Sequence, residues 1–137
     1  MMPMHARGAF DVKLTPQSSG DESIGRLMID KQFHGDLEAT SRGEMLAAGT
    51  ETKGSAGYVA LEKVTGRLHD RDGSFILQHT GTMTRGEGKL KVEVIPDSGT
   101  GDLKGLTGSM AIAISDGNHS YEFDYNLPSG QEPGSGE

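Results

Sequence analysis

Residues Asn118-His119-Ser120-Tyr121-Glu122-Phe123-Asp124-Tyr125-Asn126-Leu127 alternate with a period of two. His119, Tyr121, Phe123, Tyr125 and Leu127 fall on one side of an extended chain, and Asn118, Ser120, Glu122, Asp124 and Asn126 on the other, because successive strand residues point to opposite faces. A helix would scatter both sets around its circumference. The segment therefore reads as a half-buried β-strand, entered through Asp116-Gly117, a pair suited to the positive φ angles of a tight hairpin.

The same period recurs upstream. Phe10, Val12 and Leu14 alternate with Asp11 and Lys13, and Phe75, Leu77, His79, Gly81 and Met83 alternate with Ile76, Gln78, Thr80 and Thr82. Leu90, Val92 and Val94 share a face, as do Met110, Ile112 and Ile114. Ile24 to Ala48 reads as two strands turning near His34-Gly35-Asp36, and Tyr58 to His69 as one more, giving about eight strands. Glycine supplies 21 of the 137 residues, about twice the usual share. Many of these glycines stand in the turns between strands, at Gly20, Gly54, Gly73, Gly86, Gly88, Gly99 and Gly117.

No window of a dozen residues carries a capped helical stripe, which argues against a parallel βαβ architecture. Eight antiparallel strands must hide their edges, and closure does so completely. The expected fold is all-β: a single eight-stranded antiparallel up-and-down barrel over residues 5–127, followed by a flexible Gly/Pro/Ser tail at 128–137. A barrel of this size is either filled by side chains or holds one small ligand. Small residues on the inward face (Ala39, Gly43, Ala60, Gly81) either leave room for a ligand or mark bends.

Composition narrows the function classes. Acidic residues outnumber basic ones by 20 to 13 for a net charge of −7, and no basic cluster is present, which disfavours nucleic acid as a partner. There is no cysteine, so thiol nucleophiles, disulfides and thiolate metal sites are excluded. No segment approaches the ~20 apolar residues of a membrane-spanning helix, and no signal peptide is evident, so the expectation is a cytoplasmic protein without a membrane partner. The Asn118-His119-Ser120 sequon then has no glycosylating compartment to act in. No phosphate loop, dinucleotide fingerprint or nucleophile elbow occurs, and no cofactor is expected.

Glu62 shares its face with Tyr58, Ala60 and Val64, and His79 shares its face with Phe75, Leu77, Gly81 and Met83. Facing inward, they would place a carboxylate and an imidazole among apolar walls, an acid/base couple with Tyr58, Tyr121 and Tyr125 as hydroxyl donors to a polarised oxygen. The same two residues would serve equally as a buried polar pair that fixes strand register. Tyr58, Phe33, Phe75, Tyr121, Phe123 and Tyr125 are the candidate ligand-binding residues. Lys31, in phase with Leu27, Ile29 and Phe33, is either a desolvated amine able to form a Schiff base or a rim lysine extending to water. His34, Asp36 and Glu38 alternate as metal ligands could, but their face continues into Asp30, Gln32, Thr40, Arg42 and Glu44 like a solvated surface, and no metal site is expected there. Asp97-Ser98-Gly99-Thr100 has the chemistry of a tight turn.

Five strings together resemble a bacterial family known as domain of unknown function 3224. They are Lys31-Gln32-Phe33-His34-Gly35-Asp36-Leu37-Glu38, Gly57-Tyr58-Val59-Ala60-Leu61-Glu62, Gly73-Ser74-Phe75-Ile76-Leu77-Gln78-His79, Pro96-Asp97-Ser98-Gly99-Thr100-Gly101 and His119-Ser120-Tyr121-Glu122-Phe123-Asp124-Tyr125, within a span from about Ala6 to Leu127. Members of that family look like the allene oxide cyclase barrel. The resemblance implies an up-and-down barrel with an apolar cavity, a homo-oligomer as in many relatives, and cyclase or isomerase chemistry on an apolar substrate. It transfers no catalytic positions. Two functions follow as expectations: a cofactor-independent isomerase or cyclase in which Glu62 and His79 move protons, or a non-catalytic carrier or sensor of an apolar small molecule.

Overall fold

The computed structural model describes residues 3–128. Eight antiparallel strands follow one another around a closed barrel: β1 (Met4–Gln17), β2 (Gly25–Gly35), β3 (Leu37–Gly49), β4 (Ala56–Leu68), β5 (Arg71–Thr84), β6 (Glu87–Val94), β7 (Thr107–Ser115) and β8 (Asn118–Asn126). The only helical element among the described residues is a 3-10 turn at Gly101–Leu103. The eight expected strands are all present, and β2 hands over to β3 at the anticipated Gly35-Asp36 turn, where Gly35 takes a φ of 109°. Of the tail expected from 128 onward, only Pro128 lies within the described residues.

β8 pairs with β1 from Met4↔Tyr125 to Phe10↔His119 and so closes the sheet. Six other neighbours share long ladders, but β6 and β7 are joined by one pair, Glu93↔Ser109. Beyond it, toward their hairpins, the two strands make no further ladder pairs, and a slot lies between them.

The inward faces divide the barrel along its axis. One end is filled: Ala6, Phe33, Leu37, Leu68, Phe75, Leu77, Tyr121, Phe123 and Tyr125 are all buried, and Leu103 and Leu106 from the β6–β7 connection plug the base. Phe75 stacks on Phe123 at 5.8 Å between ring centroids, Phe123 stacks on Tyr125 at 5.3 Å, and Tyr121 meets Phe33 edge-on at 5.5 Å, geometries that aromatic quadrupoles favour. At the other end, residues in the same inward phase are open to water: Leu14 at 43%, Met83 at 46%, Leu90 at 47% and Ile114 at 67% exposure. The barrel is a packed cup below a mouth lined with apolar side chains.

Polar groups lock the closed end. The Tyr121 hydroxyl accepts from the Leu37 N–H at 2.9 Å and donates to the His34 carbonyl at 3.0 Å, tying β8 to the β2–β3 turn. Gly8 must be glycine there, because a Cβ would fall 1.9 Å from that carbonyl and 2.7 Å from the hydroxyl. His69, at a left-handed φ of 52°, donates its N–H to the Asp36 carbonyl at 2.7 Å, and its ring meets the Tyr125 hydroxyl. Ser98 and Thr100 do more than the expected local turn bonding. Their hydroxyls accept from the N–H groups of Ile76 and Ser74, at 3.0 and 3.1 Å, and pin the β6–β7 connection to β5.

Replacing Tyr121 with Phe strands the Leu37 N–H inside the protein while leaving the ring packing intact. Denaturant unfolding is expected to show a loss of about 1–3 kcal/mol. A change below measurement error would mean that water reaches this end.

Candidate functional site

Glu62 projects from β4 into the waist of the barrel and is 1% exposed. Lys31 from β2 donates to its Oε2 at 2.8 Å, His79 Nε2 from β5 meets the same oxygen at 2.5 Å, and the Ser41 hydroxyl from β3 donates to Oε1 at 2.5 Å. Four adjacent strands thus converge on one carboxylate. Register explains the meeting, since Ser41↔Val64, Gly43↔Glu62 and Ala60↔His79 are direct cross-strand partners. Gly43 permits it: a Cβ there would lie 2.0 Å from the Leu61 carbonyl oxygen, so only glycine lets β3 approach β4 this closely. The small inward residues therefore serve packing here, since Ala39 and Ala60 are buried as well.

Burial alone would raise the Glu62 pKa. The His79 hydrogen bond, the Lys31 charge and the remaining hydrogen bonds outweigh it and hold the pKa at about 2. An ionised carboxylate only accepts, so His79 Nε2 carries a proton. The other ring nitrogen, Nδ1, lies 3.2 Å from the Tyr58 hydroxyl, within hydrogen-bond distance. Lys31 neither reaches water nor stands free as a nucleophile. Its ammonium lies 4.7 Å from the Phe10 centroid and 5.4 Å from that of Phe33, within cation–π range. No buried polar side-chain atom lacks a partner among the described residues.

Above this network, along β3, β4, β5 and β6, the mouth holds a chamber of about 540 Å³ that is widely open to solvent. Met45, Ala47, Tyr58, Gly81, Met83 and Leu90 contribute to its lining. The Tyr58 ring lies across Gly81, where an added Cβ would come within 2.5 Å of Tyr58 Cε1. Burial, then the nearby Glu62 charge, raises the Tyr58 pKa, so its hydroxyl stays protonated. Two backbone contacts clasp the overlying turns, Gly86 N–H to the Gly54 carbonyl at 2.9 Å and Arg85 N–H to the Ser55 hydroxyl at 3.0 Å.

The sequence candidates separate accordingly. Glu62 and His79 meet, joined by Tyr58. Phe33, Phe75, Tyr121, Phe123 and Tyr125 also face inward, but they belong to the filled end and do not line the chamber. Burial pushes the Tyr125 hydroxyl up to about 12 and raises that of Tyr121. His34 and Glu38 stand on the outer surface with nitrogen and oxygen 3.7 Å apart, while Asp36 sits in the turn and accepts from the Arg7 N–H at 3.0 Å. No group of three metal-capable side chains occurs among the described residues. Sequence reasoning missed Lys31 and Ser41 as Glu62 partners, although the inward phase of Lys31 was visible. It also missed Met45, Ala47 and Leu90 as chamber residues.

The sequence profile described as Protein of unknown function (DUF3224) matches residues 6–125. The chain belongs to the DUF3224 family. A crystal structure of a DUF3224 protein of unknown function from Shewanella oneidensis MR-1 is 51% identical, with a TM-score of 0.90 over 93% of this chain and 98% of that one. No curated protein matches this DUF3224 chain. Among the described residues no helix is long and apolar enough to cross a membrane.

Two predictions follow from the DUF3224 waist. Lys31→Met leaves the Glu62 charge without its ammonium and is expected to cost about 3–5 kcal/mol in denaturant unfolding, with Lys31→Met/Glu62→Leu recovering part of it. Glu62 titrates lower in the folded chain than its ordinary 4.5, so its contribution is present above about pH 4.5 and lost as the pH falls toward 2. Glu62→Gln should therefore flatten stability against pH in that window. An unchanged slope would place the acid sensitivity elsewhere.

Proposed function

We propose that this chain is a binding protein for an apolar small molecule held in the mouth chamber, with Tyr58 as the floor. The observation that carries this reading is the exposure of inward-phase apolar residues at one end only. Such a surface is costly in water, and it matches the concave, mostly apolar sites that small molecules occupy. A volume near 540 Å³ is within the usual range for such sites.

A carrier role fits the waist better than general-base catalysis by Glu62. That carboxylate is ionised far below neutral pH, saturated with donors and separated from the chamber by Tyr58, whereas a general base must reach the proton it takes. One observation favours the cyclase or isomerase that the family resemblance implies: the Tyr58 hydroxyl continues through His79 to Glu62, a path along which a proton could pass to a substrate oxygen.

N-Phenylnaphthylamine, a neutral apolar fluorophore, is the probe. Saturable one-to-one binding is expected, weakened at least tenfold by Met83→Glu or Leu90→Glu in variants that keep their unfolding transition. Absence of saturable binding to the parent chain would refute the reading. Tyr58→Phe separates the two roles. A carrier changes affinity a few-fold, whereas an enzyme working through this hydroxyl loses rate far more than binding.

A further inference from the structure

Building on the mouth chamber as the binding site, we propose that its ligand is an amphiphilic organic anion. The apolar body lies in the chamber, and the charged group leaves past Leu90, where the slot between β6 and β7 begins, toward Lys89 and Lys91 on the outer face. The first support is the slot itself. After Glu93↔Ser109, β6 runs to its hairpin without pairing to β7, and the opening there, bordered by Leu90, Val92 and Met110 and by the charged Lys91, Glu93 and Asp124, measures about 330 Å³. Leu90 borders the chamber as well as the slot. Leu90 stands between the two, so a shift of that one side chain would give a molecule too long for the chamber a lateral way out.

The second support is charge. Lys89 borders the chamber as its one charged residue, lies on the exposed outward phase of β6 and makes no hydrogen bond or ion pair with the described residues. Lys91 lies 3.6 Å from Glu93, and Asp124 hydrogen-bonds the His5 ring at 2.6 Å, a ring that also meets Glu122 at 3.1 Å. Lys89 is thus a cation without an ion-pair partner among the described residues, on a chain of net charge −7. Lysines on a free strand edge also discourage unwanted pairing. That role asks nothing of a bound anion, so head-group preference distinguishes the two.

The test displaces bound N-phenylnaphthylamine with three decyl compounds below their micelle concentrations: decyl sulfate, decyl maltoside and decyltrimethylammonium. Decyl sulfate is expected to bind about fivefold more tightly than the maltoside, the size of one solvent-exposed ion pair, and the ammonium more weakly than either. The preference should shrink at high salt. Lys89→Gln should bring the sulfate-to-maltoside ratio near one, and Lys89→Glu should invert it. Equal displacement by all three, or a preference that survives Lys89→Gln/Lys91→Gln, overturns the anion assignment while leaving the chamber as a neutral apolar site. Failure of the dye itself to bind removes the chamber reading and this inference together.

Discussion

A carboxylate buried in an apolar barrel constrains everything around it. Glu62 is ionised at the waist, and an ion held away from water needs a counter-charge and hydrogen bonds to nearly every lone pair. Lys31, Ser41 and His79 provide them from three other strands, which couples the registers of β2, β3, β4 and β5. A slip of one residue in any of these ladders would turn its donor to the outer face, because side chains alternate with a period of two. The buried cluster therefore fixes the pairing far more sharply than interchangeable apolar contacts would.

Facing was legible in the sequence because alternation reports it directly. Tyr121, Phe123 and Tyr125 were read as inward, as were Glu62 and His79, and the structure puts all five inside. Height along the barrel axis was not legible. Phe75 and Met83 stand in phase on one strand, yet the first is buried in the filled end and the second is open at the mouth. A period of two carries no information about that difference, which follows from ladder offsets and from which hairpins lie over which end. The aromatic candidates for ligand contact therefore read as one set with Tyr58, although the barrel stations them at opposite ends.

Lys31 shows a second kind of limit. Its inward phase was evident, but a long, flexible side chain has two low-energy destinations, water at a rim or a buried counter-ion. Choosing between them required knowing that Glu62 lies at the same height, two strands away. The same non-local dependence hid the role of Gly43, whose missing Cβ matters only because β4 lies against it. Ser98 and Thr100 likewise looked like local turn chemistry until β5 supplied the N–H groups that they bond.

Stability and a potential site are segregated in this barrel. The aromatic stack and the 3-10 plug fill the closed end, so the mouth can leave apolar side chains in water without undermining the fold. Tyr58 alone belongs to both halves. Its ring rests on Gly81 beneath the chamber, and its hydroxyl bonds His79 in the waist. With Nε2 held by Glu62, His79 presents Nδ1 to the Tyr58 hydroxyl at 3.2 Å. The buried cluster therefore fixes where the polar edge of the chamber floor sits, and a ligand that hydrogen-bonded Tyr58 would act in turn on the network that holds four strands in register.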